Sequence, residues 1–219
     1  MAGPSRKRII DALLEHHGKT YAVELGIDLG KGTPSALFRW LCASILLSAR
    51  ISADLAMQAA RALSAKGWRT ADKMAKASWE QRTRTLNQAG YARYDESTSR
   101  MLGDTAKMLL DQYGGDLRKL REAAERDPAR ERKLLKQCKG LGDLGVSIFF
   151  REAQLAWDEL YPFADERALR TAERLGLEGD AKALAKGVPR QEFPRLVAAL
   201  IRVGLAKDAD AVLQHAKGR

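Results

Sequence analysis

The sequence predicts an all-α protein, and three observations indicate this class. Apolar residues recur at the three- and four-residue spacing of a helix face, and no segment alternates polar and apolar residues long enough for a convincing strand. Alanine and leucine dominate, whereas only six of the 219 residues are valine. Helix-start patterns also recur along the chain. We therefore expect roughly ten or more helices joined by short connections.

The helices can be justified in chain order. Thr33-Pro34 opens the first one, because proline suits the first turn of a helix, and Leu37, Leu41 and Ile45 form its apolar stripe. Ser78 opens another through a capping-box pattern with the residues that follow it. The other predicted helices cover residues 52–66, 70–77, 95–112, 116–125, 128–137, 145–159, 165–176, 180–186, 190–204 and 207–216.

The charge points to an anionic partner. Lysine and arginine number 38 against 28 aspartate and glutamate residues, which gives a formal charge of +10. Residues 50–93 carry much of this excess. Nucleic acid, an anionic membrane and an acidic protein are all partners of this kind, and a solvated helical surface explains many of these side chains individually.

Cysteine and histidine usage excludes several classes of site. Two cysteines, Cys42 and Cys138, cannot form a disulfide framework or a four-thiolate metal or iron–sulfur site within one chain. The three histidines, His16, His17 and His215, lie near the two ends of the chain, so we do not expect a histidine-built metal site.

The sequence also predicts a cellular location. No apolar run approaches the roughly 20 residues that span a bilayer. Acidic residues interrupt the apolar stretch at residues 9–15, so it is not the core of a secretory signal. We expect a soluble cytoplasmic protein, associated with the nucleoid if it is bacterial, with reduced thiols.

The most specific local pattern is the turn Gly140-Leu141-Gly142 between two apolar helices. Two glycines permit a tight turn, and Leu141 can anchor the helix pair. The glycine N–H groups, near a helix N-terminus, can bind a phosphate oxygen without a side chain. Alone, the pattern would favour an ordinary helix–helix turn.

Together with its surroundings, this turn resembles the helix-hairpin-helix of the endonuclease III-like (HhH-GPD) DNA glycosylase superfamily. Residues 37–50 resemble the family's helix that ends in Leu-Leu-Ser-Ala-Gln, and Ala89-Gly90-Tyr91 and Tyr113-Gly114-Gly115 resemble two of its turns. Residues 165–177 match the family's Asp-Thr-His-x-x-Arg-x-Ala-x-Arg-Leu-Gly-Leu pattern at the aspartate, both arginines, the alanine and the closing triplet. The resemblance covers about residues 34–177.

The resemblance implies two helical domains with a DNA-binding cleft between them. One would be a helical barrel over residues 34–158 that carries the hairpin at about 134–150, followed by a Gly/Pro-rich loop and a catalytic aspartate. The other would combine residues 1–33 and 159–219. The implied partner is double-stranded DNA with a base lesion, mismatch or abasic site, bound by a monomer.

The resemblance also implies the DNA-binding residues. Arg50 stands at the family's glutamine position, which helps fill the gap left by a flipped base, and Tyr91 stands at the position of an apolar wedge. Both fit equally well as ordinary surface residues. The hairpin residues implied to bind DNA are Lys139, Gly140, Leu141, Gly142 and Gly145.

The implied chemistry is cleavage of an N-glycosidic bond after the base has been flipped out of the duplex. The sugar becomes oxocarbenium-like, and a carboxylate stabilises its charge. The matching carboxylate is Asp165, with Glu166 as second choice. Position alone would favour an N-cap role for Asp165.

Several departures from the family pattern bear on this chemistry. Bifunctional members place a nucleophilic lysine where this chain has Leu144, so the sequence favours a monofunctional enzyme that uses water. For Lys136 and Lys139, phosphate contact or solvation is the favoured role. The spacing from Leu144 to Asp165 is a few residues longer than in the family, and Asp143 puts a carboxylate in the hairpin.

Three functions therefore remain open. The leading hypothesis is a monofunctional DNA glycosylase of base excision repair. The alternatives are a non-catalytic relative that recognises distorted or abasic DNA, and a strand-cleaving enzyme with a relocated lysine. Many relatives bind an iron–sulfur cluster through four C-terminal cysteines, but this chain has no cysteine after Cys138. We expect no cofactor, although the hairpin leaves room for a monovalent cation.

Overall fold

The computed structural model describes residues 3–218, and every regular element in that range is helical. This confirms the predicted all-α class. The chain forms two compact units: residues 25–159, here called the larger unit, and the described parts of residues 1–24 and 160–219, the smaller unit. No helix among the described residues is long and apolar enough to cross a membrane.

The larger unit begins before the first predicted helix. Leu25, Ile27 and Leu29 are buried. The Arg39 guanidinium also donates to the Leu25 carbonyl at 2.7 Å, which ties this segment to the first long helix of the unit. The helices of the larger unit are α3 (Pro34–Ser48), α4 (Ala53–Ala65), α5 (Ala71–Lys76), α6 (Trp79–Gln88), α7 (Asp95–Tyr113), α8 (Leu117–Ala123), α9 (Pro128–Leu135) and α10 (Asp143–Ala153).

Helix α3 forms the centre of the larger unit. It is apolar on nearly every side, as expected of a helix buried within a domain, and it packs against α4, α7, α8 and α10. Thr33 caps it by accepting from the Ala36 N–H, as the sequence predicts. The Trp40 indole donates to the Phe149 carbonyl at 3.0 Å, so a buried polar group fastens α3 to α10.

The smaller unit joins the two ends of the chain. Its first helix packs against its last two, and its longest helix, α13, is buried along most of its length. Helices α1 and α2 lie before residue 33, where the sequence pattern predicts no helix. The helices are α1 (Arg6–His17), α2 (Tyr21–Glu24), α11 (Glu166–Arg174), α12 (Ala181–Ala185), α13 (Phe193–Ala206) and α14 (Ala209–Lys217).

Candidate nucleic-acid interface

The hairpin turn connects α9 to α10 and depends on glycine at position 140. Gly140 has a φ of +84°, in the left-handed region. A Cβ atom there would lie 2.7 Å from Met101 Sδ and 3.1 Å from Ile45 Cγ2. Both the backbone conformation and the surrounding space therefore require a glycine at this point of the turn.

Leu141 anchors the hairpin from inside. It is buried, and a Cβ on Gly145 would lie 2.8 Å from Leu141 Cδ1. Gly145 therefore lets the leucine lie against the first turn of α10. This is the anchoring role that the sequence predicts for Leu141.

Two hydroxyl groups hold the outside of the turn. Thr105 Oγ1 on α7 donates to the Lys139 carbonyl at 3.1 Å, and Ser48 Oγ on α3, which donates to the Ile45 carbonyl at 2.7 Å, also lies 3.4 Å from the Gly140 carbonyl. A carbonyl has a second lone pair, so these contacts leave acceptor capacity for a monovalent cation, for which the sequence leaves room at the hairpin.

The N-terminus of α10 is open to an anion. Gly142 is its exposed N-cap residue and provides no side-chain cap. The N–H groups of a helix's first turn have no acceptor within the helix and lie at the positive end of its dipole. A Cβ on Gly142 would meet no atom within 4 Å. The turn thus offers backbone donors beside an exposed residue that has no side chain, an arrangement suited to a phosphate oxygen.

Charged side chains surround this turn. Lys139 is exposed, as is Lys133 on α9. Lys136 donates to both oxygens of Asp143, at 2.8 and 2.9 Å. This contact lowers the pKa of Asp143 below its ordinary value, because it outweighs the opposing effect of desolvation. The carboxylate that the sequence places in the hairpin is therefore paired with a lysine of the same hairpin.

Two further residues near the turn, Leu144 and Arg50, are exposed to solvent. Leu144, where the sequence resemblance would place a lysine, is one of the large apolar side chains that solvent reaches, with 42% of its surface exposed. Arg50 is exposed two residues beyond Ser48, the residue that contacts the hairpin. Arg50 and the hairpin therefore lie in neighbouring parts of the larger unit.

Tyr91 does not fit the predicted wedge. Its side chain is fully buried, and its hydroxyl donates to the Leu46 carbonyl of α3 at 3.1 Å. Burial, the largest influence, raises the pKa of Tyr91 to about 12. A ring held in this way supports the end of α3 and is not available to separate bases.

The basic segment 50–93 does not contribute uniformly to a surface. Arg82 is buried and donates to the carbonyls of Ser99, Met74 and Ala77, so it joins α5, α6 and α7. Lys66 and Arg84, in contrast, are exposed and line a hollow of about 250 Å³ beside Trp68. The sequence cannot distinguish these roles, because each residue appears only as a charge on a helix.

Asp165 belongs to the smaller unit, where it caps α11. Its Oδ1 accepts from the Ala168 N–H at 3.1 Å, as the sequence predicts for a helix N-terminus. The preceding segment is half-buried and is fixed by Tyr161, whose ring lies 5.7 Å from that of Phe193. Glu166 is highly exposed and pairs with Arg170 instead.

Helix α9 contains a buried carboxylic acid, Glu131, that the sequence pattern does not reveal. Glu131 is fully buried, and its oxygens have no donor among the described residues, while burial and the neighbouring Glu159 raise its pKa to about 9. Glu159 pairs with Arg121, whose Nε lies 2.6 Å from Oε1. Burial opposes the charge on Glu159, but the bonds from Arg121 outweigh it and hold the pKa at about 2.

The thiols do not fit an iron–sulfur cluster. Cys42 and Cys138 are both buried in the larger unit, and they supply two of the four thiolates that such a cluster takes. Burial raises the pKa of Cys138 to about 12, and it raises that of Cys42 further. Two protonated core thiols serve as small apolar groups.

The described helices have the fold of endonuclease III. A solved non-covalent complex of endonuclease III with DNA superposes with a TM-score of 0.50 at 21% sequence identity, covering 78% of this chain and 73% of that one. A trapped covalent intermediate of endonuclease III with DNA, in an estranged-adenine complex, gives a TM-score of 0.48 at 22% identity, covering 74% and 71%. No protein-family model matches the chain, and no curated protein matches it.

Proposed function

We propose that this protein is a DNA glycosylase that releases a damaged or mismatched base from duplex DNA. The observation that carries the proposal is the endonuclease III fold with an open Gly140-Leu141-Gly142 turn on it. The solved neighbour with this fold is bound to DNA. The formal charge of +10 supports a polyanionic partner.

In this proposal the hairpin binds the DNA backbone. A phosphate oxygen accepts from the N–H groups that precede and begin α10, and Lys139 adds a mobile positive charge. Arg50, exposed in the segment after α3, contributes to the same contact. These interactions fix the position of the duplex without reading its sequence.

Asp165 is the proposed catalytic residue. Its ionised carboxylate stabilises the positive charge that develops on the sugar as the base leaves, and it orients the water that attacks the sugar. The backbone of α11 fixes one of its oxygens, so the side chain has a defined position. Glu166 is exposed and pairs with Arg170, so it is the second choice for this role.

Water is the proposed nucleophile because the family's lysine position holds Leu144. A leucine cannot form the Schiff base that leads to strand cleavage. Lys136 is engaged by Asp143 in an ion pair. The proposed enzyme therefore releases a base and leaves the DNA strand intact.

One assay tests this function directly. Duplexes that each carry one lesion (oxidised pyrimidine, alkylated purine, uracil or thymine mismatch, deaminated purine) are incubated with the protein, and each sample is divided before one half receives alkali. We expect at least one duplex to break only in the alkali-treated half. Salt-sensitive DNA binding without base release from any duplex would instead favour the non-catalytic alternative. A borohydride-trapped adduct would indicate a lysine nucleophile.

A further inference from the structure

Folding brings together histidines from the two ends of the chain. Helices α1 and α14 pack against each other in the smaller unit, and His16 and His215 both lie in the last turns of these helices. Their Nε2 atoms are 3.0 Å apart, although the residues are 199 positions apart in sequence. The separation in sequence predicts no histidine-built metal site, but the fold brings these two side chains together.

A carboxylate completes the cluster. Glu15 Oε2 lies 3.9 Å from His16 Nε2 and 3.7 Å from His215 Nε2. All three donor atoms lie within 4.8 Å of one another, and all three side chains are exposed to solvent. The two histidines border a surface hollow of about 380 Å³ that is lined by His16, His17, Asp208, Ala211, Val212 and His215.

The spacing of these atoms suits a transition metal. Two nitrogens that each lie ~2.1 Å from a tetrahedral zinc ion are roughly 3.4 Å apart. The two histidine nitrogens are slightly closer to each other than this, and the Glu15 oxygen lies slightly farther from both. Small side-chain rotations would therefore bring all three atoms to bonding distance from one zinc ion. Two imidazoles and one carboxylate form a ligand set that zinc uses, with a fourth position left for water.

The local field favours a cation at the same place. The last turns of α1 and α14 both end there, and a helix C-terminus carries partial negative charge. Glu15 adds a full negative charge, and Asp208 lies on the same hollow, 3.9 Å from His17. A divalent cation bound by these ligands would also join the first and last helices of the unit.

We propose that Glu15, His16 and His215 form a binding site for a divalent transition metal, with zinc as the expected ion. Imidazole ligands select zinc, copper or nickel over magnesium and calcium, which prefer oxygen ligands. The site lies in the smaller unit and involves none of the residues proposed to bind DNA or to release a base. Its test therefore needs no DNA.

Zinc titration of the full chain by calorimetry tests the proposal. After treatment with a chelator and its removal, the protein should bind one zinc ion, and a tenfold excess of magnesium should not compete. His16→Gln, His215→Gln and Glu15→Gln should each weaken binding by about tenfold or more, because even residues that only support ligands cost 10–100-fold. His17→Gln is the matched control, since His17 faces Asp208 and is not one of the three ligands.

Thermal unfolding provides a second measurement. Zinc that bridges α1 and α14 should raise the Tm of the protein and of His17→Gln, but not that of His215→Gln. Absence of stoichiometric zinc binding would overturn the proposal. Binding that survives all three ligand substitutions, or that His17→Gln abolishes, would overturn it as well. Circular dichroism of each variant confirms that it remains folded.

Discussion

The Lys136 ammonium lies 2.8 Å from the Asp143 carboxylate, across the turn that joins α9 to α10. Both side chains are exposed, so this ion pair contributes little to stability. It matters for charge, because it neutralises one lysine at the surface that we propose contacts DNA. Replacing Asp143 therefore offers a way to raise the positive charge of the hairpin without touching its backbone.

Asp143→Asn should strengthen binding to duplex DNA. The substitution frees Lys136 and removes a negative charge near the phosphates, so we expect the dissociation constant to fall by about 2- to 10-fold at low salt and the difference to shrink as salt rises. Fluorescence anisotropy with a labelled duplex over a salt series measures both effects.

The matched control is Asp28→Asn, which breaks the exposed pair with Lys31 and changes the net charge equally. It should alter binding much less than Asp143→Asn. Equal effects of the two variants would mean that net charge alone matters and that the hairpin is not the contact surface.

The two glycines of the turn should respond differently to alanine. Gly140→Ala places a Cβ against Met101 and strains a left-handed backbone, so we expect a loss of about 2–4 kcal/mol in the free energy of unfolding. Gly142→Ala meets free space and should cost less than about 1 kcal/mol. Its methyl group nevertheless obstructs the N–H groups, so DNA affinity should fall by about tenfold, which is about 1.4 kcal/mol.

Chemical denaturation and anisotropy on the same preparations separate these effects. Gly142→Ala is the informative variant because its fold is preserved. If it binds duplex DNA as tightly as the unmodified protein, phosphate does not approach this turn.

Glu131→Gln should stabilise the protein in alkaline solution. The unfolded glutamate loses its proton near its ordinary pKa, whereas the buried Glu131 keeps its proton up to a pKa of about 9. The unfolded state therefore binds fewer protons across this window, and the stability of the unmodified protein falls as pH rises through it. Glutamine imitates the protonated acid and carries no such dependence.

Denaturation at pH 5 and pH 8.5 measures the difference. The two proteins should be similarly stable at pH 5, and the variant should be more stable by at least about 1 kcal/mol at pH 8.5. Both values of pH lie above the range in which Glu159, with a pKa of about 2, takes up a proton. Glu122→Gln, at an exposed position of α8, is the control. A stability difference that is the same at both pH values would contradict the assignment of a protonated Glu131.

The elements that the sequence predicts correctly are those with local causes. Thr33, Ser78 and Asp165 each cap a helix through a hydrogen bond to a residue three positions later, and such patterns are visible in the sequence. The Gly140 turn is also local, because its conformation depends on the lack of a side chain. These features were sufficient to predict the fold class and the position of the hairpin.

The features that the sequence could not predict depend on distant partners. Tyr91 is buried because the Leu46 carbonyl accepts its hydroxyl, and Arg82 is buried because three carbonyls of other helices converge on it. Glu131 lies among charged residues in sequence, yet its side chain points into the unit beside Glu159. Likewise, His16 and His215 meet only because α1 packs on α14.

The Asp165→Asn variant tests most directly whether Asp165 carries out base release, as we propose. Asparagine caps a helix about as well as aspartate, so α11 should persist while the negative charge is lost. Single-turnover base release is measured with the duplex that the unmodified protein processes, alongside DNA affinity and Tm. We predict a loss of at least about 100-fold in rate with affinity and Tm nearly unchanged, since a charge that stabilises a transition state is worth this much. Base release at the unmodified rate by Asp165→Asn would contradict the account.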